Sequence, residues 1–184
     1  MKFTATRLEG VHQIDLEARE DDRGFFARSF CQQEFAAHGL ATSVVQSNVS
    51  YNRRRGTLRG MHFQIAPAAE PKLVRCTRGR LFDVAVDLRP ASATYCQWVG
   101  VELGGEAART RMLYVPEGCA HGFQTLEDDT EVFYEMFAAY SAEHARGVRW
   151  DDPAFGIAWP LPAPILSEKD RSYPLYRRDD GPIR

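Results

Sequence analysis

The sequence predicts an all-β sandwich or barrel. Short stretches alternate apolar and polar residues with period two, and turn residues recur about every eight to twelve positions. Only one stretch reads clearly as a helix, so the strands must pack on one another.

The chain has 184 residues, enough for a core or a ligand cavity in one domain, and residues 1–184 are expected to form one. Hydrophobic residues make up 44%, which separates it from disordered chains. A net charge of −2 argues against a nucleic-acid partner. No apolar run approaches a membrane span, and Met1-Lys2-Phe3-Thr4-Ala5 lacks the apolar region of a signal peptide. Cys31, Cys76, Cys96 and Cys119 show no CxxC pairing and read as reduced thiols of a cytoplasmic protein.

Val11 to Leu16 alternates enough for a first strand. Asp21-Asp22-Arg23-Gly24 is a turn, and Phe25 to Phe30 a second strand. The helix spans Phe30 to His38, with Ser29 and Gln32 fitting a capping box and Gly39 a stop. Val44 to Ser50 is strand-like with Gln46 and Asn48 on one face. Two such amides can read a base or sugar, or can simply meet solvent. Asn52-Arg53-Arg54-Arg55-Gly56 is a basic turn, either solvated or attractive to an anion.

Lys72 to Thr77 and Arg80 to Leu88 are expected to form a hairpin around Arg78-Gly79. Phe82, Val84, Val86 and Leu88 share one face of its second strand, and Leu81, Asp83, Ala85 and Asp87 the other. Asp83, if buried there, needs a partner. Tyr95 to Leu103 is a strand ending in a Gly104-Gly105 turn, and Arg111 to Val115 is another. In Glu131 to Tyr140, alternation puts Val132, Tyr134, Met136, Ala138 and Tyr140 on one inward face. Beyond Glu143, Pro153, Pro160, Pro162 and Pro164 forbid a long helix or a central strand. Ser167 and Asp170 fit a second capping box.

The chemistry concentrates in Gly56-Thr57-Leu58-Arg59-Gly60-Met61-His62-Phe63-Gln64, a strand holding an arginine, a histidine and an amide within six residues. Alternation sets Arg59 and His62 on opposite faces, so a shared ligand requires a bulge near Gly60 or a second subunit. An edge strand with a solvated arginine and a hydrogen-bonded core histidine would read the same way.

Pro116, Gly118 and His121, in Pro-x-Gly-x-x-His spacing, resemble the second half-motif of the cupin superfamily, whose fold is a jelly roll. Metal-binding cupins place two histidines one residue apart in the first half-motif. Here His62 is followed by Phe63 and Gln64, so no metal is expected.

Most of the chain is similar to the dTDP-4-dehydrorhamnose 3,5-epimerase family. The resemblance rests on Asp21-x-Arg23-Gly24-Phe25-Phe26, Gln46-x-Asn48-x-Ser50, the Gly56 to Gln64 stretch, Lys72-Leu73-Val74 and Gly79 to Arg89. It continues through Pro116 to Phe123, Arg146 to Pro153 and Leu166-Ser167-x-Lys169-Asp170. It implies a homodimeric jelly-roll β-sandwich or barrel with one or two short helices and no cofactor. Sheet edges that need cover also point to a dimer. The implied substrate is a 4-keto-6-deoxy nucleotide sugar, with protons moved at the two carbons flanking the ketone.

By position, the resemblance makes His62 the general base, Asp170 the carboxylate that orients it, Lys72 the clamp on the enolate oxygen and Tyr134 the acid across the ring. Arg23, Gln46, Asn48 and Arg59 would hold the nucleotide and its diphosphate, and Asp83 and His121 would line the same pocket. Phe26, Tyr140 and Lys169 join the substrate-binding set. The residue types suit the reaction. An imidazole titrates near neutrality, a carboxylate fixes its tautomer, a cation receives the charge developing on the ketone, and a guanidinium pairs two phosphate oxygens.

The chain departs from the family at Arg28, where a glutamate is frequent, which leaves the nucleobase open. It departs again at Glu135-Met136-Phe137, where lysine and threonines are frequent, which leaves open a single-carbon epimerase or another 4-keto sugar. Two other classes are a sugar-nucleotide-binding cupin without catalysis and a metal-dependent cupin oxygenase. His62, Lys72, Tyr134 and Asp170 together speak against the first, and the incomplete histidine set against the second.

Overall fold

A computed structural model describes residues 1–177. The chain begins with β1 (Lys2–Ala5), β2 (His12–Asp15), β3 (Arg19–Asp21), β4 (Gly24–Phe26) and helix α1 (Gln32–Ala37). Then follow β5 (Gln46–Asn52), β6 (Leu58–Gln64), β7 (Lys72–Arg78), β8 (Arg80–Asp87), β9 (Trp98–Gly104) and the short α2 (Gly105–Ala108). Last come β10 (Arg111–Val115), β11 (Cys119–Thr125), β12 (Thr130–Met136), β13 (Ala145–Gly147) and α3 (Glu168–Ser172).

Two antiparallel sheets face each other as a jelly-roll sandwich. One has the order β1-β2-β10-β7-β12-β5 and the other β13-β6-β11-β8-β9, with β3 and β4 forming a separate ribbon. Leu8, Val74, Leu81, Ala85, Leu113, Phe123 and Val132 fill the space between the sheets. The back of each sheet is covered as well. Around α1, Phe35 and Leu40 pack on Ile14, Leu73, Met112 and Tyr114. Val148 and Phe155, from the proline-rich segment, pack on Met61, Phe63, Val84 and Val86. Cover on both faces explains why Leu73-Val74 and Met112 to Val115 are buried runs rather than alternations.

Several expectations are corrected. The Lys72 and Arg80 strands do not form a hairpin: β7 pairs with β10 and β12, and β8 with β11 and β9. Only Gly79 separates β7 from β8, one residue fewer than the shortest common hairpin loop, and the chain steps there from one sheet to the other. Gly79 has φ +74°, and a Cβ would lie 2.5 Å from Thr130 Oγ1. The strand expected over Phe25 to Phe30 stops at Phe26, because Ala27 and Phe30 turn into the cluster around Phe35. The N-cap of α1 is Cys31 without a side-chain hydrogen bond, not Ser29, since Phe30 packs on Phe35 and Phe137 and keeps the chain extended for two more residues. The expected stop holds, with Gly39 at φ +69°. The Gly104-Gly105 turn opens a third short helix, and β12 ends at Met136 rather than Tyr140.

The faces assigned to Arg80–Leu88 hold. Asp83 is fully buried and hydrogen-bonded to His121. Asp87, also buried, accepts from Arg89, Ser92 and Thr94. Burial alone would push its carboxyl up, but these hydrogen bonds outweigh it and hold the pKa down at about 2. None of the four cysteines forms a disulfide. Among the described residues no helix is long and apolar enough to cross a membrane.

Candidate active site

The open end of the sandwich holds a cavity of about 230 Å³ between the two sheets. Asn48, Lys72, Tyr134 and Met136 reach it from the six-stranded sheet. Arg59, His62, His121 and Phe123 reach it from the other, with Glu70 and Tyr140 at its margin.

A bulge brings Arg59 and His62 to the same side. On β6 and β11, His62 pairs with His121 but Arg59 pairs with Phe123, so β6 carries one residue more between the two pairs. The extra residue falls at Gly60-Met61, opposite Gly122. Gly60 has φ +140°, and a Cβ there would lie 2.5 Å from Gly122 Cα. Only glycine permits both the backbone angle and the approach of the two strands.

Three basic side chains of the cavity each meet a carboxylate. His62 Nε2 lies 2.7 Å from Asp170 Oδ1. Asp170 is 5% exposed and sits in the first turn of α3, where its N–H donates to the Ser167 cap. Burial raises its pKa, but the His62 hydrogen bond and charge, with further bonds from Gly60 and Ser167, outweigh burial and leave it below the usual carboxylate range. An ionised carboxylate only accepts, so Nε2 carries a hydrogen, and in the neutral form of the imidazole Nδ1 presents its lone pair.

His121 Nε2 lies 2.7 Å from Asp83 Oδ1, and both side chains are buried. Burial pushes the Asp83 carboxyl up, against the opposing charges of His121 and Lys72. Lys72 Nζ donates to Glu70 Oε1 at 2.9 Å, again with both groups buried. An ammonium has three donors, so two remain for a ligand.

Tyr134 completes the arrangement. Its ring stands edge-on to His121, with centroids 6.1 Å apart, and packs against Phe123. Burial and the nearby Asp83 charge raise its hydroxyl pKa above the ordinary phenol value, so the phenol keeps its proton throughout the neutral range.

The cavity thus gathers His62, Lys72, Tyr134, Asn48, Arg59, His121 and Tyr140, with Asp170 and Asp83 directly behind the two imidazoles. Tyr140 is 61% exposed at the rim, where its N–H donates to Gln46 Oε1. Lys169 lies next to Asp170 on α3 and is exposed. Arg23 and Phe26 are not brought in: both are exposed on the β3–β4 ribbon, and Arg23 pairs with Asp21. Arg28 pairs with Glu34. Among the described residues no three His, Cys, Asp or Glu side chains converge in the manner of a metal site.

Two contributors escaped sequence reasoning. Glu70 was signalled by Glu-x-Lys spacing, which puts two opposite charges on one side of an extended chain. Asn52 continues the polar series Gln46, Asn48, Ser50 along β5, two residues beyond where that strand was expected to end.

The chain is similar to known proteins over nearly its whole length. The family described as dTDP-4-dehydrorhamnose 3,5-epimerase matches residues 5–178. A dTDP-4-dehydrorhamnose 3,5-epimerase of Sinorhizobium fredii is 52% identical over 175 residues, covering 95% of this chain and 89% of the relative. The crystal structure of the enzyme of that name from Elizabethkingia anophelis superposes with a TM-score of 0.93 at 36% identity, covering 100% of this chain and 99% of that one. The Bacillus anthracis enzyme, solved with TDP and PPi bound, gives a TM-score of 0.90 at 43% identity over 95% of this chain and 99% of that one. With a match spanning nearly the whole sequence and a relative more than half identical, the chain belongs to the dTDP-4-dehydrorhamnose 3,5-epimerase family.

Proposed function

We propose that the chain epimerises dTDP-4-dehydro-6-deoxy-D-glucose at the two carbons beside its ketone, giving dTDP-4-dehydro-L-rhamnose. One observation carries this reading: a single cavity holds an imidazole backed by a carboxylate, a buried ammonium and a protonated phenol.

In the proposed step, His62 Nδ1 removes the proton from a carbon adjacent to the ketone. The electron pair of the broken C–H bond moves onto the ketone oxygen, forming an enolate, and the Asp170 carboxylate stabilises the resulting imidazolium. Lys72 meets the charge on the oxygen, an interaction made in full only as the enolate forms and worth about 3 kcal/mol in comparable sites. Tyr134 then returns a proton to the same carbon from the opposite face, and the configuration inverts. Solvent then takes the proton from His62 and returns one to the Tyr134 phenolate, and with both groups reset the second carbon repeats the sequence. A proton leaves and a proton returns, so the step balances without an oxidant or a cofactor.

Arg59 and Asn48 suit the diphosphate and the nucleoside. We further read the molecule as a cytoplasmic homodimer. Edge strand β5 exposes Val49 and Tyr51, and the β3–β4 ribbon exposes Phe26 at 73%, surfaces that a second copy would cover. Arg23 and Phe26 would then serve the cavity of the other subunit.

The test is proton exchange in deuterium oxide with purified protein and dTDP-4-dehydro-6-deoxy-D-glucose, followed by NMR. Deuterium at both carbons supports the proposal. Deuterium at one carbon identifies a single-carbon epimerase, and tight binding without exchange identifies a binding protein.

A further inference from the structure

Four side chains able to carry positive charge line the cavity: Arg59, His62, Lys72 and His121. Asp170, Glu70 and Asp83 are matched to three of them at 2.7, 2.9 and 2.7 Å. Arg59 is treated differently. Its Nε donates at 2.8 Å to the amide oxygen of Asn52, and among the described residues no carboxylate lies within ion-pair distance of it.

Asn52 is built for that contact. It is 2% exposed, and its Nδ2 donates to Thr130 O at 3.1 Å and Ser50 O at 3.2 Å. Two carbonyl acceptors at one end of the amide fix its orientation, so the oxygen faces Arg59. With Nε held, the two terminal guanidinium nitrogens are the ones offered outward, the fork that matches two phosphate oxygens. Arg59 also borders a neighbouring cavity of about 680 Å³ that Arg53 and Arg54 line, so it stands between the two spaces.

We propose that Asn52 is a positioning residue that sets where the diphosphate docks: it aims Arg59 and, being uncharged, leaves it without a carboxylate partner among the described residues, unlike His62, Lys72 and His121. Lys72, neutralised by Glu70, offers hydrogen bonds to an uncharged ketone without competing for the phosphates. A carboxylate at position 52 would give Arg59 an internal partner and close that site to anions. The inference rests on the reading above that the substrate is a diphosphate sugar.

Calorimetry on the full chain with dTDP, and competition with thymidine, tests it. Asn52→Ala should weaken dTDP about tenfold, the loss of one hydrogen bond that orders a charged group, and Asn52→Asp at least as much. Thymidine, which has no phosphate, should keep its affinity within about twofold in both variants. Equal weakening of dTDP and thymidine would mean that the site has changed shape and would overturn the proposal. Unchanged dTDP binding in both variants, with weakening in Arg59→Ala, overturns the role of Asn52 and leaves the diphosphate reading intact. If Arg59→Ala also leaves dTDP unaffected, that reading falls too. Should Asn52→Ala fail to fold, the isosteric Asn52→Asp carries the comparison.

Discussion

Replacing Gly60 by alanine attacks the bulge that makes the cavity, and the structure allows its cost to be worked out. Two penalties combine. At φ +140° an alanine leaves the allowed region, which costs about 1–3 kcal/mol. Its Cβ would also lie 2.5 Å from Gly122 Cα and 3.1 Å from His121 O, about 1 Å inside ordinary carbon contact in the first case. Overpacking of that kind costs about 1–3 kcal/mol more, because β6 and β11 must separate. The sum is about 4 kcal/mol, which for a chain of this size lowers Tm by about 8–16 °C. A shift of about 1 Å beside His62 should also slow deuterium exchange about a hundredfold. Gly24→Ala separates the two penalties. Gly24 has φ +126° but nothing within 4 Å of its would-be Cβ, so it should lose only about 1–3 kcal/mol. Urea unfolding of both variants and NMR exchange measure all of this. If Gly60→Ala unfolds within 1 kcal/mol of the parent and exchanges at the parental rate, the account of the bulge is wrong.

Asp170→Asn should lower kcat by about 10³–10⁴ with little change in KM, because an amide no longer enforces the tautomer with Nδ1 free; a loss below tenfold would refute that role. Tyr134→Phe should retain deuterium exchange at the face His62 serves while net inversion drops by about 10²–10⁴, and equal losses in both would place the acid elsewhere. Asp87 predicts acid sensitivity. Its pKa falls from 3.8 to about 2 on folding, so its stabilisation is present above pH 3.8 and is lost as pH falls through about 2. The difference amounts to about 2 kcal/mol, and Asp87→Asn should remove that limb of the urea-unfolding profile.

Much of this architecture was legible because local chemistry and tertiary demand agree. Alternation in Arg80–Leu88 put Asp83 on a face with Leu81 and Ala85, where burial would demand a partner, and His121 is that partner. The clash between period two and the joint use of Arg59 and His62 called for a bulge near Gly60 or a second subunit, and the strand has the bulge. Legibility failed where one local pattern serves two tertiary ends. Arg78-Gly79 looks like a hairpin turn, but a strand buried on both faces needs two neighbours of its own, and β7 finds them in β10 and β12. Ser29 and Gln32 spell a cap, yet burying Phe30 among Phe35 and Phe137 outweighs a cap worth about 1 kcal/mol. Arg23 and Phe26 carry family-like letters, and no pattern in one chain says which cavity an outlying ribbon serves.

Asp170 lies 108 residues beyond His62, on a segment stitched to the strand before it by Ile165, whose N–H and C=O bond Gly56 O and Leu58 N. Both sheets can therefore assemble while the histidine still lacks its carboxylate. Turnover should thus appear later in refolding than the circular dichroism of the strands. On the ribosome, competence waits until Asp170 has emerged, and a protease nick ahead of Ile165 would silence the enzyme while sparing most of its scaffold.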